Sequence, residues 1–323
     1  MIAWARQLGK RVARAWALTS TDPALLSMLG ADSESVSGTN VTADNAMRIS
    51  AVWACVRVIS EAVASLPLQV FERTRDGRDL ARDNPLYPVL HDLTAPSLGL
   101  TSLMFRETMQ AWLLLYGNAY ALIHRDGIGQ VVELWPIHPG AVTIRRKGTE
   151  TFYVVQYDDG PKSYAADKVM HIKALAITSS GLYGLSPVAY ARESMGLSLA
   201  HEEHGARFYA NGADFQRVIE YEGSFKDDEQ AVSYAETFKR RYGGLSNSSK
   251  TPILEFGMHV KNNGLSMEDA QFIDSRHFQV EEIARLFLVP LHMIQEMKGA
   301  TFSNIEHQAI AWVTNTLRPW LVR

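Results

Sequence analysis

The sequence predicts an α+β fold in two domains, or one domain carrying large excursions, and three observations carry that prediction. Apolar residues recur at steps of three and four from Val52 to Leu66 and again from Phe105 to Leu115. They alternate at period two between Gly117 and Ala174. Two long helical patterns of similar length then flank a small α/β insert. The length of 323 residues exceeds the about 100–200 residues of one ordinary domain.

Taken in order, residues 1–18 read as a basic amphipathic helix. Arg6, Lys10, Arg11 and Arg14 carry charge, while Trp4, Leu8, Val12 and Trp16 form a second face. Charges recur through the segment, unlike the continuous apolar core of a secretory signal. Residues 19–45 are rich in Ser, Thr, Asp, Gly and Ala and read as a flexible connection, so residues 1–44 form an arm and folding begins near Asn45. Val52, Val56, Ile59, Val63 and Leu66 then mark a helix that Pro67 ends. Leu68, Val70 and the Asp76-Gly77 turn predict a hairpin, and Phe105, Thr108, Trp112 and Leu115 a second helix. From Tyr120 to Tyr157, alternating residues separated by Asp126-Gly127, Lys147-Gly148 and Asp159-Gly160 predict an antiparallel meander with one buried face per strand.

A long helix starts at Ser186-Pro187, an N-cap and first-turn pair, and runs to about Tyr209 before Asn211-Gly212. Gly196 and Gly205 inside it, each costing about 1 kcal/mol relative to Ala, mark close approaches. The insert holds a strand-like 216–220, a helix near Asp227–Tyr242, and apolar runs at 252–256 and 258–260. A second long helix from about Met267 to Leu288 stops at Pro290. A projecting helix pair cannot bury both of its sides, so neighbouring copies around an axis would cover it.

Composition excludes several function classes. A formal net charge of -3 supplies no global basic field for gripping nucleic acid. Cys55 is the one cysteine, which leaves no intrachain disulfide and no thiolate zinc site; its place beside an apolar helical stripe suits a small core residue and a reducing cytosol. No apolar run approaches 18 residues, so no stable membrane insertion is expected.

Candidate chemistry is sparse. A zincin H-E-x-x-H box sets its ligands four residues apart, whereas His201 and His204 are three apart around Glu202 and Glu203. Gly127-Ile-Gly129 lacks the third glycine and the helix of a dinucleotide loop, and there is no Walker pattern and no G-x-S-x-G elbow. Asp158-Asp159 and Asp227-Asp228 suit a turn and a helix start. No catalytic residue, cofactor or resident metal is therefore expected. Glu202 and Glu203 on an axis-facing surface would repel DNA phosphate. Lys239, Arg240 and Arg241 complement a helix C-terminus or form a docking surface. Gln295, Glu296, Met297, Lys298, Gly299, Ala300, Thr301, Phe302, Ser303 and Asn304 read as a polar loop before a helix with Ile305, Ile310, Val313 and Leu317.

The chain resembles the portal protein of tailed double-stranded DNA bacteriophages, or of the related gene transfer agents, from Asn45 to Leu321. The resemblance rests on 46–61 (AMRISAVWACVRVISE) with Leu66-Pro-Leu68, on Leu115-Tyr-Gly-Asn-Ala-Tyr120, on Leu134-Trp-Pro-Ile-His-Pro139, on Gly184-Leu-Ser-Pro187, and on Phe287-Leu-Val-Pro-Leu291 with Phe302-Ser-Asn304. It implies a dodecameric ring at a capsid vertex in the virion, assembled in the host bacterial cytoplasm. Double-stranded DNA would pass through that ring, with the major capsid protein, terminase large subunit and head-tail adaptor as partners.

Carried over by position, residues 45–185 resemble the α/β wing, 186–212 and 265–289 the stem helices, 213–264 the clip, 290–304 the tunnel-loop region and 305–323 the start of a channel or crown helix. Glu202 and Glu203 would face the channel, 295–304 would approach DNA with Lys298 as a lone cation, and 239–241 would dock partners. The helical pattern is unfinished at Arg323, which reads as a crown missing or shortened. Two alternatives stand beside this one: a metal-dependent hydrolase using His201, His204 and Glu203, and a peripheral-membrane scaffold anchored by residues 1–18.

Overall fold

Packing begins before Asn45. Val41 and Ala46 are buried, and Thr42 caps a one-turn helix α1 (Ala43–Ala46), its Oγ1 accepting from the Asn45 N–H at 3.1 Å. The computed structural model describes residue 35 and residues 37–175, 181–210, 217–220, 226–242, 259–262, 268–296 and 302–323; the helix expected at 1–18 lies outside them. Two compact units result: Met1–Gly196 with Glu281–Arg323, and Leu197–Val280. Within the first, Ser35 is buried and its side chain occupies the space a Cβ on Gly196 would need. Ser35, Val41 and Ala43, in the segment expected to be a flexible connection, are thus packed against the body, and Gly196 is a close approach by a side chain.

Helix α2 (Ser50–Ser65) buries Val52, Cys55, Val56 and Ile59 and ends before Pro67. Burial pushes the Cys55 thiol up to about 12, so it stays protonated and acts as a small apolar group. The hairpin pairs β1 (Phe71–Arg73) with β2 (Arg78–Leu80), starting three residues later than Leu68. Helix α3 (Leu86–His91) and the short pair β3 (Leu93–Ala95) and β4 (Leu100–Thr101) are too brief to leave a periodic signal in the sequence. Helix α4 (Ser102–Tyr116) is capped by Thr101, which accepts from the Met104 N–H at 3.2 Å, and closed by Gly117 at φ 71°.

Six strands follow: β5 (Asn118–Arg125), β6 (Val131–Ile137), β7 (Val142–Lys147), β8 (Glu150–Tyr157), β9 (Gly160–Ala165) and β10 (Val169–Lys173). Every pairing is antiparallel, yet the strands form two three-stranded sheets, β10-β5-β6 and β7-β8-β9, where one meander was expected. The chain leaves the first sheet through the His138-Pro139 turn, builds the second, and returns as β10 beside β5. Strand β5 is also buried on both faces. Tyr120 and Leu122 join Trp135, Val142, Tyr153 and Val155 in one core cluster, while Ala119 and Ala121 pack with Phe105, Met109, Trp112 and Leu113 of α4 in another. The alanines are small because a helix lies on them.

Ser186 caps α5 (Pro187–Tyr190), accepting from the Ala189 N–H at 3.1 Å. The single helix expected here is interrupted at Ala191, with φ -93° and ψ 22°, before α6 (Arg192–Ala210). In the second unit, β11 (Arg217–Glu220) pairs antiparallel with β12 (His259–Asn262), and α7 (Asp228–Tyr242) lies between them in sequence. The apolar run at 252–256 lies outside the described residues. Asp227 accepts from the Gln230 N–H at 2.8 Å and Gln230 Oε1 accepts from the Lys226 N–H at 3.0 Å, a reciprocal cap. Asp227→Ala is expected to cost α7 about 1 kcal/mol. Amide exchange in its first turn checks this, and unchanged protection there would contradict the cap.

Helix α8 (Glu268–Phe287) ends before Pro290. After a 3-10 turn at Leu291–Ile294 come α9 (Phe302–Trp312), a π-helical turn at Val313–Leu317 and α10 (Arg318–Val322). Pro319 has no N–H to give the Asn315 carbonyl, and the Arg318 N–H reaches back five residues to Val313 O.

Candidate functional site

The end of α4 and the start of α5 are joined by a clamp within the first unit, built from two of the short motifs. Asn118 Oδ1 accepts from the Gly184 N–H at 2.8 Å, and its Nδ2 donates to Gly184 O at 3.0 Å and Tyr116 O at 3.1 Å. Ser186 Oγ donates to Leu115 O at 2.7 Å, and the Ala174 N–H to Gly117 O at 2.8 Å. Leu115–Tyr120 and Gly184–Pro187 therefore interlock, and the start of α5 is fixed to the end of α4. His171 completes the clamp: Nε2 lies 3.1 Å from Asn118 Oδ1, Nδ1 3.2 Å from the Tyr153 hydroxyl, and the ring stacks on Tyr120 at 4.3 Å.

Ser194 Oγ donates to Glu282 Oε2 at 3.0 Å in the first unit, and His201 Nδ1 lies 3.4 Å from Gln279 Nε2 in the second. Among the described residues no group of three or more His, Cys, Asp or Glu is gathered to hold a metal, and the hydrolase alternative gains no support. His204 is a helical position of α6 whose side chain lies outside the described set. Glu202 is half-buried, and the exposed Glu203 pairs with Arg207 one turn on. No described helix is long and apolar enough to cross a membrane.

The region after α8 is built from two left-handed turns. The Leu288 N–H donates to Arg285 O at 3.2 Å and the Val289 N–H to Ala284 O at 2.9 Å, the paired bonds of a Schellman ending, with Leu288 at φ 54°. Thr316 Oγ1 donates to Leu288 O at 2.6 Å and ties this ending to the π-helical turn. Gln295, at φ 65°, follows the 3-10 turn, which packs against α2. Gln295 is exposed and Glu296 half-buried; Met297, Lys298, Gly299, Ala300 and Thr301 lie outside the described residues, whereas Phe302, Ser303 and Asn304 open α9 and are helical where a loop was expected. Lys239, Arg240 and Arg241 occupy the last turn of α7, with Arg240 and Arg241 exposed. That placement complements the helix dipole.

Sequence reasoning missed the buried Asn118 and the left-handed Leu288. Asn118 carried a signal, a polar residue inside an apolar strand run; Leu288 carried none, because the residue expected at that position of a helix ending is glycine.

A sequence model described as phage portal protein matches residues 50–323. The chain is 34% identical over 288 residues to the portal protein of Enterobacteria phage HK97, covering 88% of this chain and 67% of that protein. It is 32% identical over 322 residues to a probable portal protein of Streptomyces phage phiC31, covering 96% and 68%. Its fold matches the neck of a native GTA particle, computed with C12 symmetry, at TM-score 0.61 and 23% identity over 86% of this chain and 76% of the other. It also matches an HK97 family phage portal protein from Corynebacterium diphtheriae at TM-score 0.62 and 18% identity, covering 87% of each. The aligned region runs from α2 through the Asn118 clamp and both long helices to the last turn of α10, and on that extent the chain belongs to the phage portal protein family.

Proposed function

We propose that copies of this chain close into a twelve-membered ring at a capsid vertex and that double-stranded DNA passes through it during packaging and ejection. The observation that carries the proposal is the family match over residues 50–323, supported by the C12 symmetry of a neck with the same fold. In this reading residues 45–185 are the wing, 186–212 and 265–289 the stem, 213–264 the clip, 290–304 the tunnel-loop region and 305–323 the start of the crown helix. Glu202 and Glu203 face the channel. Arg207 offsets part of the Glu203 charge, and the remaining acidity keeps phosphate from being gripped, so DNA slides. Residues 295–304, with Lys298, approach the DNA, and 239–241 contribute to docking terminase or the head-tail adaptor. The outer surface meets the major capsid protein, and the assembled ring resides in the virion after assembly in the host cytoplasm.

Negative-stain electron microscopy of the purified chain tests the ring. Top views with a central hole and rotational symmetry are the expected result. Uniform monomers at micromolar concentration would overturn it.

A further inference from the structure

We infer that one face of the hairpin of β1 and β2 is a docking surface for an extended acidic segment of a partner protein. Arg73 and Arg78 would hold its carboxylates and Phe71 an apolar side chain beside them. The surface lies wholly within the first unit and is independent of the ring reading.

Register sorts this hairpin by charge. Phe71 lies opposite Leu80, Glu72 opposite Asp79 and Arg73 opposite Arg78. Successive residues of a strand point to opposite faces, and directly opposed residues share one. Phe71, Leu80, Arg73 and Arg78 therefore make one face, and Glu72 and Asp79 lie on the other. Both charged pairs are like-signed, an arrangement that weakens the hairpin and that a glutamate in place of Arg78 would relieve on the basic face.

Backbone bonding brings the two arginines close. The Thr74 N–H donates to Gly77 O at 3.1 Å, and the Ala81 N–H to Val70 O at 2.9 Å. Bonded and non-bonded pairs alternate along an antiparallel ladder, so counting inward from either end makes Arg73 with Arg78 and Phe71 with Leu80 the non-bonded pairs. Their Cα atoms are then about 4.5 Å apart, against about 5.5 Å for bonded pairs. Two guanidinium groups are held side by side, and both residues are exposed. Among the described residues no carboxylate pairs with either. Phe71, next to them on the same face, is 52% exposed. Val70 and Ala81, beside the acidic pair, are half-buried.

Charge selects the occupant. Between Phe71 and Asp83 the arginines at 73, 75, 78 and 82 are matched by acids at 72, 76, 79 and 83, so the hairpin has no net charge. Binding by phosphate neutralisation needs a net cationic surface, and Glu72 and Asp79 lie well within the Debye length of about 8 Å from any phosphate on the basic face. Carboxylates presented singly fit better, because each accepts two parallel bonds from a guanidinium at short range. An extended segment advances by the same rise per residue as the hairpin. An acid and an apolar residue two positions apart on it would meet the arginine pair and Phe71 together.

Fluorescence anisotropy on the full chain tests the surface, with a short labelled peptide carrying glutamate and leucine two positions apart among serines as the probe. The parent chain is expected to bind it. Arg73→Ala combined with Arg78→Ala is expected to lower the affinity about tenfold, while the thermal midpoint holds or rises because a like-charge pair is gone. Arg75→Ala combined with Arg82→Ala removes the same charge from the same hairpin and is expected to change the affinity much less. No binding by the parent, or equal losses in the two double variants, would overturn the inference. So would a short DNA duplex that binds more tightly than the peptide and depends as strongly on Arg73 and Arg78, since the face would then be a nucleic-acid surface.

Discussion

Gly184→Ala is expected to destabilise the first unit by about 3 kcal/mol or more, lowering its thermal midpoint by roughly 10 °C. A Cβ at Gly184 would fall on the carbonyl oxygen of Gly117 and 2.7 Å from Ala174 N. Neither neighbour can retreat cheaply. Gly117 O is held by the Ala174 N–H at 2.8 Å, and Gly184 N donates to Asn118 Oδ1 at 2.8 Å. Moving either segment breaks a buried hydrogen bond, which adds the cost of an unsatisfied group to the steric one. Gly117 faces the reciprocal constraint, since its Cβ would meet the carbonyl of Leu185 and lie 2.7 Å from Ser186 N. Gly127, with nothing within 4 Å of its hypothetical Cβ, supplies the control: Gly127→Ala is expected to be close to neutral. Equal thermal midpoints for Gly184→Ala and Gly127→Ala would sink the interlock.

Acidification is expected to weaken the same clamp through His171. Asn118 is oriented by its two donated bonds and by the Gly184 N–H, so its Oδ1 faces His171 as an acceptor. His171 Nε2 therefore carries the proton, and Nδ1 accepts from the Tyr153 hydroxyl. Burial, with a smaller contribution from the Lys173 charge, lowers the His171 pKa to about 3. In the unfolded chain the imidazole titrates near 6.5. Below that pH the unfolded state binds a proton that the native state refuses, so the stability from neutral His171 is complete above about 6.5 and declines as pH falls toward 3. The slope is about 1.4 kcal/mol per pH unit, and the loss between pH 8 and pH 5 is about 2 kcal/mol. His124 and His138 are also shifted down by burial and act in the same direction. Denaturant midpoints at pH 8, 6 and 5 measure the slope, which is expected to flatten in His171→Gln. An identical slope in that variant would show that the acid sensitivity lies elsewhere.

Much of this architecture is legible from local pattern. Period 3.6 at Val52–Leu66 and Phe105–Leu115, Pro67 and Pro290 as stops, and Ser186-Pro187 as a start correspond to α2, α4, the end of α8 and the start of α5. These signals are local because a helix closes its hydrogen bonds within four residues. Strands β5 to β8 are legible for the same reason, through alternation. Their partition into two sheets is not, because pairing β10 with β5 joins Lys173 to Asn118 across the whole intervening meander, and nothing in either segment names its partner. The motifs Leu115–Tyr120 and Gly184–Pro187 likewise identify the family while hiding their purpose, which is to meet each other.

By itself, the sequence determined the α+β class, the order of helix, insert and helix, the absence of a global cationic field and membership of the portal family, since each follows from composition, short-range periodicity or alignment. Only the tertiary structure decided that Asn118 and His171 lock the start of α5 to the end of α4, that the alanines of β5 carry a helix, and that Leu288 sits left-handed and exposed. Each of those depends on which distant segments share a boundary, and a buried polar bond or a strained turn is fixed by its spatial neighbours and not by its neighbours along the chain.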